Sequence, residues 1–190
     1  MEKKTDLRVI KTCNKLGFAL RDMLTEHSFD DITVFDLCEK AGVRRATFYK
    51  HFNDKLDFLS HIIAKILDDI TAAVKKDHHL SDDPVEYITD YVKRVIKFFE
   101  ERQQMFNSII ESGAFPLVFD TVTKRTGKLI EENLEDAQIP KHSSMYGKVM
   151  IAGFINGGIS VMIVDWIRTK PVPEDQFLDQ VRMILTKLLA

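Results

Sequence analysis

The chain has 190 residues, of which 45% are hydrophobic and 29% charged, and its net charge at neutral pH is −2. This composition is typical of a globular protein; it excludes a disordered chain and does not suit a protein that coats nucleic acid through overall positive charge. With only 8 glycines, 5 prolines and no β-hairpin signal, the long runs of helix-forming residues predict an all-α fold.

Apolar residues recur at three- and four-residue steps along most of the chain, which predicts about nine helices. In chain order they are expected at 6–26, 33–40, 44–52, 53–76, 85–101, 103–112, 117–135, 148–169 and 174–189. The pattern divides the chain into an N-terminal part at 1–52, a connecting helix at 53–76 and a larger helical part at 77–190.

Residues 32–58 form the motif around which the chain is organised. Thr33, with Asp36 three residues on, predicts a capped helix start, and Gly42 supplies the permissive backbone that a tight turn between helices needs. Asn53 is expected to cap the fourth helix. Two short helices joined by such a turn predict a helix-turn-helix.

The second helix of this motif has two distinct faces. At 100° per residue, Phe48 and Phe52 share one side and are expected in the core. Between residues 40 and 55 there are five lysines and arginines and one carboxylate, a local balance of +4. An ordinary solvated face is the alternative, but the turn, the caps and the interleaved Tyr49 and His51 favour contact with DNA.

The residue types on the outward face suit a major groove. Arg45 can bond a guanine edge and Ala46 can touch a thymine methyl group, with Lys50 beside them. The residues expected to contact phosphate are Thr33, Thr47, Tyr49, His51 and Lys55. Arg44 adds a cation whose role the pattern does not define.

Residues 10–59 resemble the N-terminal domain of the TetR family of bacterial transcriptional regulators. The matching pieces are Phe29, Ile32-Thr33-Val34, Asp36-Leu37-Cys38, Ala41-Gly42-Val43, Thr47-Phe48-Tyr49-Lys50-His51-Phe52 and Asp54-Lys55. The resemblance implies an all-helical homodimer. It makes 1–52 a helix-turn-helix DNA-binding domain whose third helix enters the major groove, and 77–190 a variable C-terminal domain with a ligand pocket and the dimer interface. Arg44 departs from the pattern, because the family usually has a small polar residue there.

The helix at 148–169 is apolar almost all round, so we expect it to be buried on more than one side. A membrane span is the alternative, but Asn156, Ser160 and Asp165 would be costly in lipid. Gly153 and Gly157 form a small-residue pair that lets two helices approach closely. No membrane contact is therefore predicted.

Aromatic and methionine side chains in the C-terminal part could line an apolar ligand pocket, although plain core packing is the alternative for each of them. The candidates are Phe98, Phe99, Met105, Phe106, Phe115, Phe119, Tyr146, Met150 and Phe154.

The sequence predicts neither a metal site nor a cofactor. His78, His79 and His142 lack the spacing of a metal site, and Cys13 and Cys38 are expected to be reduced core thiols. No catalytic motif is present, so an enzyme is the weakest hypothesis.

Two apolar faces near the C-terminus predict a four-helix interface between two copies. The residues concerned are Gly153, Gly157, Val161, Phe177, Val181, Ile184 and Leu188. A two-fold dimer would place its recognition helices about 34 Å apart and read a palindromic operator in double-stranded DNA.

The resulting expectation is a cytoplasmic, homodimeric repressor that responds to a small apolar ligand through the fourth helix, whose tilt would change operator affinity. A regulator or activator controlled by a protein partner is the alternative.

Overall fold

The computed structural model describes residues 7–78, 83–136 and 145–189. Across those ranges the chain is all-helical, with nine α-helices and no strand, which confirms the predicted fold class. The helices are α1 (Leu7–Met23), α2 (Val34–Ala41), α3 (Arg45–Tyr49), α4 (Lys55–Asp77), α5 (Pro84–Glu100), α6 (Gln103–Ile110), α7 (Phe115–Asp136), α8 (Met145–Thr169) and α9 (Glu174–Leu189).

Local hydrogen bonds define both ends of α2 as the sequence predicts. The Thr33 hydroxyl accepts from the backbone N–H of Asp36, whose carboxylate accepts from the Thr33 N–H, so the capping box is complete. At the other end, Gly42 has a φ of 62° in the left-handed region, where a glycine avoids the strain that a side chain would cause.

The expected cap of α4 is wrong by one residue. The carboxylate of Asp54, rather than the side chain of Asn53, accepts the backbone N–H of Asp57, at 2.8 Å. Asp57 reaches back to the N–H groups of Asn53 at 2.9 and 3.0 Å. The helix therefore begins at Lys55, because a charged carboxylate satisfies its first turn.

The chain forms two compact units. The first comprises the described residues up to Ile63 together with Gln103–Val118, and the second comprises Ala64–Arg102 with the described residues from Phe119 onward. The assignment of 1–52, 53–76 and 77–190 to DNA binding, connection and ligand binding stays a prediction, because compactness alone does not assign these roles.

The core of the first unit joins α1 to the helix-turn-helix. Each helix buries one side, and the turns bury Phe29 and Ile32. The members that are at most 2% exposed include Leu16, Phe29, Ile32, Leu37, Cys38, Phe48, Phe58 and Leu59. This packing places α3 against the rest of the unit through a single buried side chain of its own, Phe48.

In the second unit, α5 is the central helix and packs against α8 and α9. The indole of Trp166 on α8 donates to the carbonyl of Val172 at 3.0 Å and lies 5.4 Å from the ring of Phe177 on α9. Asn156 donates to the carbonyl of Thr123 on α7 at 3.1 Å. The bond to α7 explains why α8 carries Asn156 within an otherwise apolar sequence.

The expectation that α8 is buried on more than one side is not met within this chain. One side is buried through Ala152, Ile155 and Ile159, whereas the opposite side is exposed. The exposed members are Val149, Met150, Gly153, Phe154, Gly157, Gly158 and Val161. By length and composition, Gly147–Thr169 could cross a membrane. This is weak evidence for a membrane span, because the core helices of soluble proteins meet the same test.

Candidate nucleic-acid interface

Aromatic packing holds α3 in place. The ring of Phe48 is fully buried and lies 5.5 Å from Phe52 and 5.9 Å from Phe58, while Phe52 and Phe58 are 5.0 Å apart. The helix proper ends at Tyr49 rather than at Phe52, because the N–H of His51 bonds three residues back, to the Phe48 carbonyl. Even so, the tight turn leaves Phe52 buried as predicted.

The outward face of α3 and its flanking turns brings together the side chains proposed to read DNA. Arg44, Arg45, Ala46, Tyr49 and Lys50 are exposed. Tyr49 keeps 57% of its surface accessible although its ring contacts Phe48 edge-on at 5.4 Å. The face therefore combines three cations with a phenol and a methyl group.

Thr47 and His51 lie at the edge of this face and are half-buried. Arg44 occupies the position before the first residue of α3 but makes no capping hydrogen bond through its side chain. An arginine cannot accept the N–H groups that a serine or threonine would accept there. The Arg44 side chain therefore does not cap the first turn of α3. Its charge can instead contact an anionic group outside the helix.

Phe35 is a member of this surface that the sequence did not single out. It lies in the first turn of α2, is 55% exposed, and its ring centroid is 5.8 Å from the guanidinium carbon of Arg45. Nearby, burial raises the pKa of the Cys38 thiol, with the Arg45 charge opposing that rise. One feature of the sequence indicates that Phe35 belongs to this surface: Phe35 is apolar but does not lie on the buried side of α2.

Thr33 is exposed at the start of α2, but its hydroxyl is engaged in the capping box. The hydrogen bond from that hydroxyl to the Asp36 side chain holds the pKa of the carboxyl below its usual range. A phosphate at the Thr33 end of α2, as predicted, would have to compete with the cap for this hydroxyl.

Lys55 points into the unit instead of toward the outward face. Its ammonium group donates to the carbonyl oxygens of Phe29, Asp30 and Ile32 at 2.9, 2.8 and 2.9 Å. It also lies 4.9 Å from the Phe29 ring centroid. An ammonium has three N–H donors, and all three are used. The geometry is thus at odds with the phosphate contact predicted for Lys55, since the side chain fastens the α1–α2 loop to α4.

The same loop is fastened to α6, which the sequence did not indicate. The Ser108 hydroxyl donates to the carbonyl of His27 at 3.1 Å and accepts from the N–H of Phe29 at 3.2 Å. The carboxylate of Asp30 accepts from the N–H of Gly113 at 3.1 Å. Residues 27–30 are therefore bonded to a segment that is about eighty positions away along the chain.

The predicted ligand-pocket residues do not form one site within a unit. Met105, Phe106 and Phe115 belong to the first unit, whereas Phe98, Phe99 and Phe119 belong to the second. The side chain of Tyr146 lies outside the described residues. Met150 and Phe154 are exposed on α8, since this helix turns its Ala152 side, and not theirs, toward α5 and α7.

Among the described residues of the second unit, a polar cleft of about 260 Å³ lies between α4 and α7. Ion pairs cross it from Lys75 to Glu132 and from Arg125 to Asp68, both at 2.9 Å. The hydrogen bond from Lys75 holds the pKa of the Glu132 carboxyl below its usual value. Charged side chains make up most of the lining of this cleft, unlike the apolar pocket that the sequence predicts.

The predicted dimer residues fall into two groups. Gly153, Gly157 and Val161 on α8 are exposed, and so are Ile184 and Leu188 on α9. Phe177 and Val181 are buried instead, because Phe177 packs on Trp166 within the same chain. A groove joins the two helices, with walls that include Phe154, Gly158, Ile184 and Leu188.

The histidines show no metal arrangement where they can be placed. His78 lies 3.2 Å from the Asp90 carboxylate, while His79 and His142 lie outside the described residues. Within the described part of the chain there is no group of three or more His, Cys, Asp or Glu side chains that could hold a metal ion.

The first unit presents an exposed cationic helix from a helix-turn-helix, and the chain adds a second helical unit. These features define the chain as a helix-turn-helix protein. Residues 19–62 match the family described as "Bacterial regulatory proteins, tetR family". The uncharacterized HTH-type transcriptional regulator YxbF of Bacillus subtilis (strain 168) is 39% identical over 77 residues. That match covers 38% of this chain and only 20% of the length of YxbF.

Solved structures share the fold over nearly the whole chain. The dihydroxyacetone kinase operon activator DhaS has a TM-score of 0.67 at 18% identity, covering 95% of this chain and 97% of its own. RolR in complex with resorcinol has a TM-score of 0.63 at 16% identity, covering 92% of this chain and 87% of its own. The N-terminal match to the tetR family is thus confined to residues 19–62, while the fold of nearly the whole chain is shared with these solved structures.

Proposed function

We propose that the protein is a transcriptional regulator that binds a specific double-stranded DNA operator through α3. The observation that carries this proposal is the exposed face of Arg44, Arg45, Ala46, Tyr49 and Lys50, held outward by the buried Phe48. A helix of this kind fits the major groove of DNA, where arginine and small apolar side chains discriminate bases. The proposal includes no catalytic activity, cofactor or metal.

Selection of random duplex DNA by the full chain, followed by sequencing, tests the proposal. The expected result is enrichment of one palindromic sequence whose half-sites are about one helical turn apart. Recovery of sequences no different from the starting pool would contradict it. The same experiment supplies the operator for every measurement below.

Arg45→Ala is expected to weaken operator binding by about 1–3 kcal/mol and to relax preference at one base pair per half-site. The Arg45 side chain makes no hydrogen bond or ion pair with another described residue, so the loss would fall on DNA contact instead of folding. Binding to a panel of operators with single substitutions measures the change. Arg21→Ala is the matched control, because Arg21 also lies over an aromatic ring but is paired with Asp22 on α1.

The working form in this proposal is a cytoplasmic homodimer. Its support is the exposed apolar side of α8 with the neighbouring exposed residues of α9, which would remain in water in a single chain. Two copies related by a two-fold axis would bury these faces against each other and present two recognition helices to one palindrome.

Val161→Glu is expected to weaken dimerisation at least tenfold, because it would bring an unpaired carboxylate into an apolar contact. Sedimentation equilibrium at micromolar concentration measures the effect. Phe18→Glu, at an exposed apolar position on α1 in the first unit, serves as control and should leave the dimer intact. A monomeric unmodified protein, or equal weakening by both variants, would contradict the proposed interface.

We further propose that the regulator is a repressor whose operator affinity falls when a small ligand binds. The fold it shares with RolR, whose structure holds resorcinol, supports a small molecule, and small phenols are the first compounds to test. The described polar cleft between α4 and α7 offers hydrogen-bonding groups to such a ligand. A thermal-shift screen that includes resorcinol and apolar compounds, followed by operator binding, tests this.

The second candidate is an activator or a regulator controlled by a protein partner. DhaS, which has the same fold, is described as an operon activator, and this supports an activator as the second candidate. A reporter gene placed behind the selected operator distinguishes the two signs of control. Reporter output that falls on deletion of the regulator would favour an activator over a repressor.

A further inference from the structure

We infer that Phe35 on α2 is a specificity-determining residue that orients Arg45 for reading a base. The inference rests on the proposed DNA-binding function and deepens it by assigning a positioning role outside α3. Its starting point is the placement of the Phe35 ring 5.8 Å from the guanidinium carbon of Arg45.

The Phe35 ring is placed beside α3 and not in the core of its unit. Its ring is 55% exposed in the first turn of α2, whereas Leu37 and Cys38 of the same helix are buried. The ring therefore adds little to the core of the unit. It does provide an aromatic face beside α3, and an aromatic face attracts a guanidinium group.

Arg45 is free to be oriented. Within the described chain its side chain makes no hydrogen bond or ion pair, so no carboxylate competes for its donors. A contact between an aromatic ring and the guanidinium group leaves the in-plane N–H donors available. Those donors are the ones that bond the O6 and N7 atoms of guanine.

Holding Arg45 before DNA arrives reduces the conformational entropy that the side chain loses on binding. It also selects the base pair that the guanidinium group can reach, because a restrained arginine samples fewer directions. Phe35 would thus act on both affinity and base preference without touching a base itself. Arg21 over Phe18 provides a comparison, since that arginine is also bonded to Asp22 and lies on α1.

The test uses Phe35→Leu in the full chain, which removes the aromatic face and keeps an apolar side chain. We expect binding to the selected operator to weaken about fivefold per half-site. We also expect preference to relax at the base pair identified with Arg45→Ala and at no other. The salt dependence should not change, since no charge is altered.

Three further variants separate positioning from other roles. Phe35→Tyr retains the aromatic face and should restore the original base preference. Phe35→Leu made in the Arg45→Ala background should have no further effect on base preference, because there is no guanidinium group left to orient. Phe18→Leu is the matched control and should bind the operator as the unmodified protein does.

The outcomes distinguish the inference from the function on which it rests. If the unmodified protein enriches no sequence, the proposed function fails. If it enriches an operator and Phe35→Leu keeps the full base preference, only the inference is overturned. An effect of Phe35→Leu that persists in the Arg45→Ala background would also overturn it, since Phe35 would then contact DNA directly.

Discussion

Phe48→Ala is expected to lower the free energy of unfolding of the first unit by about 3–5 kcal/mol, the typical cost of removing a buried phenylalanine. Phe48 is fully buried and contacts Tyr49, Phe52 and Phe58 through its ring. Removal of the ring would leave a cavity at the centre of this cluster. Urea denaturation, followed by far-ultraviolet circular dichroism, measures the loss.

The effect should be large because α3 has little stability of its own. It has five residues, and Phe48 is its only buried side chain. A helix this short does not persist in water without packing against its neighbours. The loss of Phe48 should therefore disorder the DNA-facing surface at lower urea concentrations than those that unfold the unmodified protein.

Tyr49→Ala is the matched control for Phe48→Ala. Tyr49 lies on the same helix and is also aromatic, but 57% of its surface is exposed. We expect a stability change within about 1 kcal/mol and a direct loss of DNA affinity. Equal destabilisation by the two variants would contradict the view that Phe48 alone holds α3 in place.

The elements that the sequence predicted well are those specified by neighbouring residues. The cap at Thr33 and the turn at Gly42 each involve atoms only a few positions apart, so their residue types are informative. The burial of Phe48 and Phe52 followed from helical spacing in the same way. The same spacing identifies the exposed face, because it is the side of the helix opposite these two rings.

Apart from the cap of α4, which was misplaced by one residue, the elements that were missed depend on contacts between distant parts of the chain. Nothing near Ser108 indicates that its hydroxyl bonds the backbone at His27 and Phe29. Likewise, apolarity along α8 predicts burial but not what covers each side, so its exposed face could not be told from its buried one. Side chains placed by tertiary packing, such as Phe35 beside Arg45, have no comparable signal.

Lys55 is the residue for which the structure most changes the expected experiment. A contact with phosphate predicts that its removal leaves stability unchanged and reduces the salt dependence of DNA binding by about one counterion. The observed geometry predicts the opposite pattern. All three ammonium donors are bonded to carbonyl oxygens of the α1–α2 loop.

Lys55→Met is therefore expected to destabilise the first unit by about 1.5–3 kcal/mol, since hydrogen bonds that involve a charged group contribute that much. Methionine retains most of the apolar stem but has no donor. The carbonyls of Phe29 and Ile32 belong to buried residues and would lose this partner. Urea denaturation measures the change, and operator binding at several salt concentrations measures the DNA contribution.

Lys50→Met supplies the comparison, because Lys50 is exposed beside α3 and has no described hydrogen bond through its side chain. This variant should retain its stability and show a salt dependence reduced by about one counterion. If Lys55→Met showed that same pattern, the phosphate role would be correct and the loop contact would not matter for folding. If the two variants differ as expected, Lys55 orders the α1–α2 loop, and with it the α2 surface that carries Phe35.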